Sequence, residues 1–289
     1  MYISGSVGFT LLHGYNKYVL LFADVHDGVK YCVQDSIMID KWLNANDNND
    51  VLLEEVIREQ FNLKELWPNS PHTQGLKNLN INNHNIKPVD IRPLLVPFSW
   101  ELADNEKSMY KMLLVDYVSG LNDLFNLKKT KFFITYILPE VKKLEKKENF
   151  RISLIAHFYY MKELFDEIFI DKSIPDKSKL YMKQTIYYLS INNKELLEKI
   201  NNLISMIMEW YILVLVHNSS KNSIIHVGLA HSNKLLYLLK DVYGFKVITQ
   251  NGVNEINDIQ DEPTACVLVP KEINNIFDNK YTQKSNINI

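Results

Sequence analysis

The hydrophobic and polar positions of the chain follow two patterns, one typical of buried strands and one typical of helices. Short apolar runs predict strands at 17–23 (KYVLLFA), 51–56 (VLLEEV), 88–98 (PVDIRPLLVPF), 223–228 (SIIHVG), 245–248 (FKVI) and 264–270 (TACVLVP). Apolar residues at helical spacing predict helices at 33–44 and 231–244, between successive strands. This order predicts an α/β fold with a mostly parallel central sheet flanked by helices.

The middle of the chain, from about 105 to 217, has a helical pattern throughout, broken only at Pro139, Pro175 and 191–194. It predicts a large all-helical insertion. We therefore expect one α/β domain over 1–289, whose sheet parts come from 1–100 and 220–275. The Asn-rich segment 59–87 predicts a long surface loop with a short helix, and 278–289 predicts a disordered tail.

The composition limits the classes of partner that we expect the protein to bind. The chain has 289 residues, 46% hydrophobic and 23% charged, with a formal net charge of −2. This is ordinary globular usage without a basic field, so we expect no nucleic-acid partner. The most apolar helical stretch, 203–216, contains Glu209 and is shorter than the roughly 20 residues that span a bilayer, so we expect no membrane segment.

Cysteine usage and the N-terminal sequence predict the compartment. Cys32 and Cys266 are too few for a disulfide framework, and MYISGSVGFTLLHGYNKY lacks the features of a signal peptide. We therefore expect a reduced, cytoplasmic or otherwise intracellular location, with Cys32 as a small core residue. The Asn-, Ile- and Lys-rich composition is typical of an A+T-rich genome, which leaves a virion location open.

Two histidines each follow a predicted strand. In LLFADVHDG, the strand ends in Asp24 and His26, where α/β proteins bind ligands. In IIHVGLAHSNKLL, Gly228 allows a turn and His231 lies at the start of a helix, where it tends to stay neutral. The alternative is a capped turn with satisfied histidines. His226 lies inside its strand and is interpreted as a core residue.

Carboxylates and an arginine follow two other strands. Glu54 and Glu55 end the strand 51–56, and one of them can reach the histidines as a metal ligand or general base. Arg92, from the predicted strand 88–98, would bind a substrate carboxylate or stabilise an oxyanion. The structural alternatives are a solvated strand end for the glutamates and an ion pair with Asp90 or Asp24 for Arg92.

Two families share short motifs with these segments. LLFADVHDG resembles the D-x-H strand end of calcineurin-like metallophosphoesterases, although the other motifs of that family are missing from the sequence. Ala23-Asp24-Val25-His26, Glu54 and Gly228-Leu229-Ala230-His231 together resemble the GE-x-H, Glu and GxxH pattern of the superfamily of TraB, Tiki, erythromycin esterase-like and ChaN-like proteins. Ala23 and Asp24 replace the glycine and glutamate of the first motif.

The superfamily resemblance implies a metal-assisted hydrolase of peptide or ester bonds. His26, His231, Glu54 and Asp24 would then hold a divalent ion, with Glu54 or Glu55 transferring protons and Arg92 stabilising charge. The substrate would be a small molecule or a peptide. A non-catalytic binding or structural protein, for example one associated with a virion, is the second hypothesis, and a metallophosphoesterase is the third.

Overall fold

A computed structural model describes residues 1–26, 28–46, 48–56, 70–82, 86–96, 111–144, 148–169, 182–259 and 261–277. The chain forms two compact units. The first unit comprises Met1–Ile57, Trp67–Val89 and Ser219–Ile289, and the second comprises Arg58–Leu66 and Asp90–Asn218. The predicted disordered tail at 278–289 and part of the predicted loop at 59–87 lie outside the described residues.

Six strands form the main sheet of the first unit. They are β2 (Gly8–Gly14), β3 (Lys17–Asp24), β6 (Asp50–Val56), β7 (Ile86–Asp90), β8 (Ser223–Gly228) and β9 (Lys246–Gly252), in the spatial order β7-β6-β8-β3-β2-β9. The central strand β8 pairs in parallel with β6 and β3, whereas β2 pairs antiparallel with β3 and β9. The predicted α/β class with a mostly parallel sheet and flanking helices is confirmed.

An N-terminal hairpin was not predicted. β2 and β3 are joined at Tyr15 and Asn16, whose φ angles of 53° and 60° are both positive. A two-residue loop with two positive φ angles matches the right-handed twist of the flanking strands. The usual sequence of such a loop is Asn-Gly or Asp-Gly, so the Tyr-Asn pair did not indicate a hairpin.

A second sheet of four short strands lies in the same unit. It contains β1 (Tyr2–Ser4), β4 (Lys30–Tyr31), β5 (Ser36–Met38) and β10 (Thr264–Leu268), in the order β4-β10-β1-β5. The predicted helix at 33–44 was therefore wrong in its first half. Only α1 (Ile39–Asn44) is helical there, because 36–38 pairs with β1.

The two cysteines form a disulfide. Cys32 follows β4 and Cys266 lies on β10, and their α-carbons are 5.0 Å apart. The pairing was not expected, because two cysteines 234 residues apart carry no spacing signal. Disulfides are most frequent in oxidising environments, whereas the sequence predicted a reduced compartment.

One face of the main sheet packs under helices. The helices of the first unit are α1, α2 (Pro71–Asn82), α10 (Leu229–Tyr237) with a π-helical turn at Leu238–Val242, and α11 (Lys271–Ile276). Phe22, Trp42, Leu53 and Leu76 belong to one buried cluster that joins β3, α1, β6 and α2. The apolar positions of β3 and β6 therefore fix which side of each strand faces the core and which residues emerge at its end.

The described part of the second unit is almost entirely helical. Its helices are α3 (Arg92–Leu95), α4 (Leu114–Tyr117), α5 (Ser119–Phe125), a π-helical turn at Phe133–Ile137, α6 (Leu138–Leu144), α7 (Glu148–Phe169), α8 (Ile186–Asn192) and α9 (Lys194–Asn218). By length and composition α9 could cross a membrane, but 78% of its most apolar window is buried inside the protein. A buried core helix passes the same test, so the case for a membrane span is weak.

Candidate functional site

Three strands of the main sheet end at the same edge. β3 and β8 run in parallel with Asp24 opposite Gly228, and β6 runs in parallel with β8 with Leu53 opposite His226. The carboxyl ends of parallel strands form the edge at which α/β proteins bind ligands. The sheet therefore places Asp24, Glu54 and Gly228 close together, although 174 residues separate Glu54 from Gly228.

Asp24 and His26 form a hydrogen-bonded pair at this edge. Oδ2 of Asp24 lies 2.8 Å from Nδ1 of His26, and the His26 side chain is 28% exposed. Burial raises the pKa of Asp24, but hydrogen bonds from His26 and His72 outweigh it and leave that pKa well below its usual range. Burial lowers the pKa of His26, but the bond to Asp24 and nearby carboxylates raise it on balance. A carboxylate at Nδ1 orients the His26 ring and sets which ring nitrogen carries the proton of the neutral form.

Asp24 has a second histidine partner that the sequence did not reveal. His72, in the first turn of α2, is fully buried, and its Nε2 lies 2.9 Å from Oδ1 of Asp24. Its Nδ1 lies 2.8 Å from the Tyr31 hydroxyl and 3.1 Å from the Ser70 hydroxyl. His72 falls inside the predicted surface loop at 59–87, where Ser70-Pro71 was a helix-start signal that could have located it.

Glu54 connects β6 to the turn after β8. Its Oε2 accepts a 2.6 Å hydrogen bond from the backbone N–H of Gly228, and its Oε1 lies 3.5 Å from Nε2 of His231 on α10. Glu54 is buried, and the His231 side chain is 12% exposed. Of the two adjacent glutamates, Glu54 is thus the one that contacts Gly228 and His231.

Glu55 lies on the opposite side of β6, because neighbouring side chains of a strand alternate. It is buried, as is Lys77 on α2. Burial lowers the pKa of Lys77, and the charge of Glu55 opposes that change. The contribution of Glu55 to the edge is its negative charge, which also helps to raise the pKa of His26.

Gly228 lies against both His26 and Glu54. A β-carbon at this position would lie 3.3 Å from Nε2 of His26 and 3.4 Å from Oε2 of Glu54. The His26 imidazole and the Glu54 carboxylate therefore both lie beside the α-carbon of Gly228. Because the φ of Gly228 is −56°, the backbone does not require glycine here, and the close side chains are the reason for its small size.

His226 lies within β8, two residues before Gly228. It is 2% exposed, and its Nε2 has no hydrogen-bond partner among the described residues. Burial lowers its pKa, and the charges of Asp24 and Glu54 act in the opposite direction. His226 is a core residue, as the sequence indicated, but a core residue with one unsatisfied ring nitrogen. Such a group is uncommon in a folded interior.

The structure corrects the placement of Arg92. This residue begins α3 in the second unit and is not on a strand. Its Nε and Nη2 atoms donate hydrogen bonds of 2.7 and 2.8 Å to the two carboxylate oxygens of Asp90. This bidentate pair is the structural alternative that the sequence left open, so no catalytic step is assigned to Arg92.

The residue types at the sheet edge match those of a metal site. Their positions match such a site less well. Two imidazoles and a carboxylate are a ligand set typical of catalytic zinc, and Asp24 at Nδ1 of His26 is a typical outer partner of such a ligand. Both oxygens of Asp24 already accept hydrogen bonds, however. In the part of the chain that the structure describes, no three His, Cys, Asp or Glu side chains are arranged to hold a metal ion.

Comparison with family models, with curated proteins and with solved structures finds no match. The resemblance of the His26, Glu54 and His231 motifs to the TraB and Tiki superfamily therefore stays a prediction.

Proposed function

We propose that the protein is a hydrolase of peptide or ester bonds whose site is formed by His26, Glu54 and His231. The observation that carries this proposal is the Asp24–His26 pair, whose second imidazole nitrogen lies beside Gly228 together with the Glu54 carboxylate. A histidine oriented by a buried carboxylate, with its second nitrogen left for proton transfer, is a recurring arrangement in hydrolases.

The proposed proton path starts at His26. In its neutral form Nδ1–H donates to Asp24, and Nε2 accepts the proton of a water molecule that attacks the substrate carbonyl carbon. The ionised Asp24 then stabilises the imidazolium. Only neutral His26 is a base, so its raised pKa moves the rise in activity above the usual histidine range.

The second carboxylate–histidine pair acts on the leaving group. Glu54 is fixed at Oε2 by the Gly228 N–H, and its Oε1 lies close to the His231 imidazole. The His26 imidazolium returns the proton taken from water to the departing amine or alkoxide. Glu54 and His231 lie beside it and would position the leaving group.

A divalent ion is a second part of the proposal. His26, His231 and Glu54 would hold it, and when bound it would polarise the substrate carbonyl oxygen and lower the pKa of bound water. The roles of His26 and Glu54 described above use only groups of this chain.

Activity and metal content can be tested together. Purified protein is assayed on fluorogenic peptides and p-nitrophenyl esters, with and without added Zn²⁺ or Mn²⁺, and its metal content is measured by mass spectrometry. We expect His26→Ala to lower kcat/KM at least 100-fold, as removal of a general base does. Glu54→Gln should also lower kcat/KM, because it removes the charge that Gly228 fixes beside His231. His13→Asn, on β2 outside this edge, should leave activity unchanged. Equal metal content in the wild type, His26→Ala and His231→Ala would refute the metal part alone.

A non-catalytic binding or structural protein is the second candidate, and one observation favours it. Both oxygens of Asp24 are bonded to histidines, as expected of a buried polar network that stabilises a fold. Under this hypothesis no substrate is turned over, and the same variants change only stability. The disulfide supports an oxidising location such as a virion surface for either function.

A further inference from the structure

The helical unit contains a cavity that the proposed hydrolase site does not use. Its volume is about 270 Å³, close to the lower end of small-molecule sites, which begin at roughly 300 Å³. Eleven side chains line it, ten of them aliphatic or aromatic, and the only ionisable group among them apart from the Tyr159 phenol is Arg151. Such a lining fits a hydrocarbon body with one anionic end.

The side chains that form the apolar wall of the cavity also contact one another. The rings of Phe158 and Trp210 lie 5.4 Å apart, and Nε1 of Trp210 donates a 2.9 Å hydrogen bond to the carbonyl of Leu154. The polar atom of the tryptophan is thus already satisfied, and its rings present an apolar surface to the cavity. A cavity formed in this way needs little rearrangement to take a ligand.

Arg151 supplies the charge. It lies on α7, is exposed and lines the cavity. A guanidinium beside an apolar cavity offers a planar pair of donors that matches a carboxylate. Phosphate esters are bulkier and more highly charged than one arginine would balance.

We propose that this cavity binds a single-chain fatty-acid anion, with the hydrocarbon against Phe158 and Trp210 and the carboxylate on Arg151. The site lies within the helical unit and is independent of the chemistry at Asp24, His26 and Glu54.

Trp210 makes the proposal directly measurable. Bromine quenches tryptophan fluorescence at near-contact distance, so the full chain is titrated with a fatty acid brominated at its terminal carbon. We expect saturable quenching in the wild type and loss of most of that quenching in Trp210→Phe. Tyr159→Trp, which places a second indole at an exposed lining position, should increase the quenched fraction and serves if Trp210→Phe does not fold.

The charge is tested with matched variants. Arg151→Gln should weaken binding at least tenfold, because hydrogen bonds to charged groups are among the stronger polar contacts. Lys142→Gln removes a nearby exposed lysine that does not line the cavity and should bind as the wild type does. The matching brominated alcohol should bind at least tenfold more weakly than the acid.

Three results would overturn the proposal. The first is an absence of saturable quenching in wild-type protein, as expected if another segment of the chain fills the cavity. The second is equal affinity in Arg151→Gln and wild type. The third is equal affinity for the acid and the alcohol.

Discussion

Glu54 and Gly228 are joined across the ends of two parallel strands by a 2.6 Å hydrogen bond from the Gly228 N–H to Oε2 of Glu54. The α-carbon of the same glycine also lies close to the His26 imidazole. One backbone position thus fixes the Glu54 carboxylate and contacts its histidine neighbour. The predictions below follow from this edge of the sheet and from the disulfide.

Gly228→Ala should disturb the candidate site at the sheet edge and leave the stability of the protein nearly unchanged. The added methyl group would press on His26 and Glu54 at 3.3–3.4 Å, so the imidazole must move by a few tenths of an ångström. We expect the His26 pKa, measured by NMR, to shift and any hydrolytic kcat/KM to fall at least tenfold. The melting temperature should change little. Ala230→Gly, on α10, is the matched control, and an unchanged His26 titration in Gly228→Ala would contradict the geometry.

Asp24→Asn should destabilise the protein at neutral pH. The carboxylate is buried between His26 and His72, and removing one partner of a buried ionic network costs about 3–5 kcal/mol. Urea unfolding at pH 7 measures this loss. Asp35→Asn is the control, since its side chain is exposed.

The same substitution should alter acid unfolding. The folded pKa of Asp24 lies below its ordinary value of 3.8, so the ionised group stabilises the fold above about that pH and the contribution is lost as the pH falls further. The unfolding free energy of the wild type should therefore exceed that of Asp24→Asn by less in acid than at neutral pH. A constant difference in unfolding free energy down to acid pH would show that Asp24 is not ionised in the fold.

His26→Asn should have the opposite dependence on pH. The pKa of folded His26 is raised above its ordinary 6.5, so the protonated imidazole stabilises the fold below that pH. This contribution is lost as the pH rises through the folded pKa. We expect the wild type to exceed His26→Asn in unfolding free energy more at pH 5.5 than at pH 8.5. A gap that widens with pH would contradict the assignment.

Replacing both Cys32 and Cys266 by serine should destabilise the protein by about 2–5 kcal/mol, since the bond closes a long loop in the unfolded chain. Thermal unfolding with and without a reducing agent measures the effect. The reductant should lower the melting temperature of the wild type and leave the double variant unchanged. Equal sensitivity of both proteins would mean that the bond does not form in solution.

The continuous apolar runs predicted the central strands well, because a strand buried on both faces leaves an unambiguous pattern. β3, β6 and β8 lie at the predicted positions, and so do the residues that end them. The short strands β1, β4 and β5 were missed, since two or three residues carry too little periodicity. The hairpin before β3 depends on positive φ angles at Tyr15 and Asn16, which residue types alone do not reveal.

The candidate site residues were predictable from the sequence only where they follow the end of a strand or begin the next helix. Asp24, His26, Glu54 and His231 are marked in the sequence by abrupt ends of apolar runs. His72 belongs to a helix in an Asn-rich segment and reaches Asp24 through tertiary packing, so no local pattern connects the two. The bidentate partner of Arg92, two residues earlier in the chain, was one of two open alternatives, and geometry decided between them.

The bond between Cys32 and Cys266 also has a topological consequence. Every residue of the helical unit lies between these two cysteines in the chain, so the unit is part of a covalently closed ring. A single proteolytic cut anywhere in that ring opens it without releasing a fragment. Nicked protein would keep its mass on a non-reducing gel and separate into two pieces only after reduction.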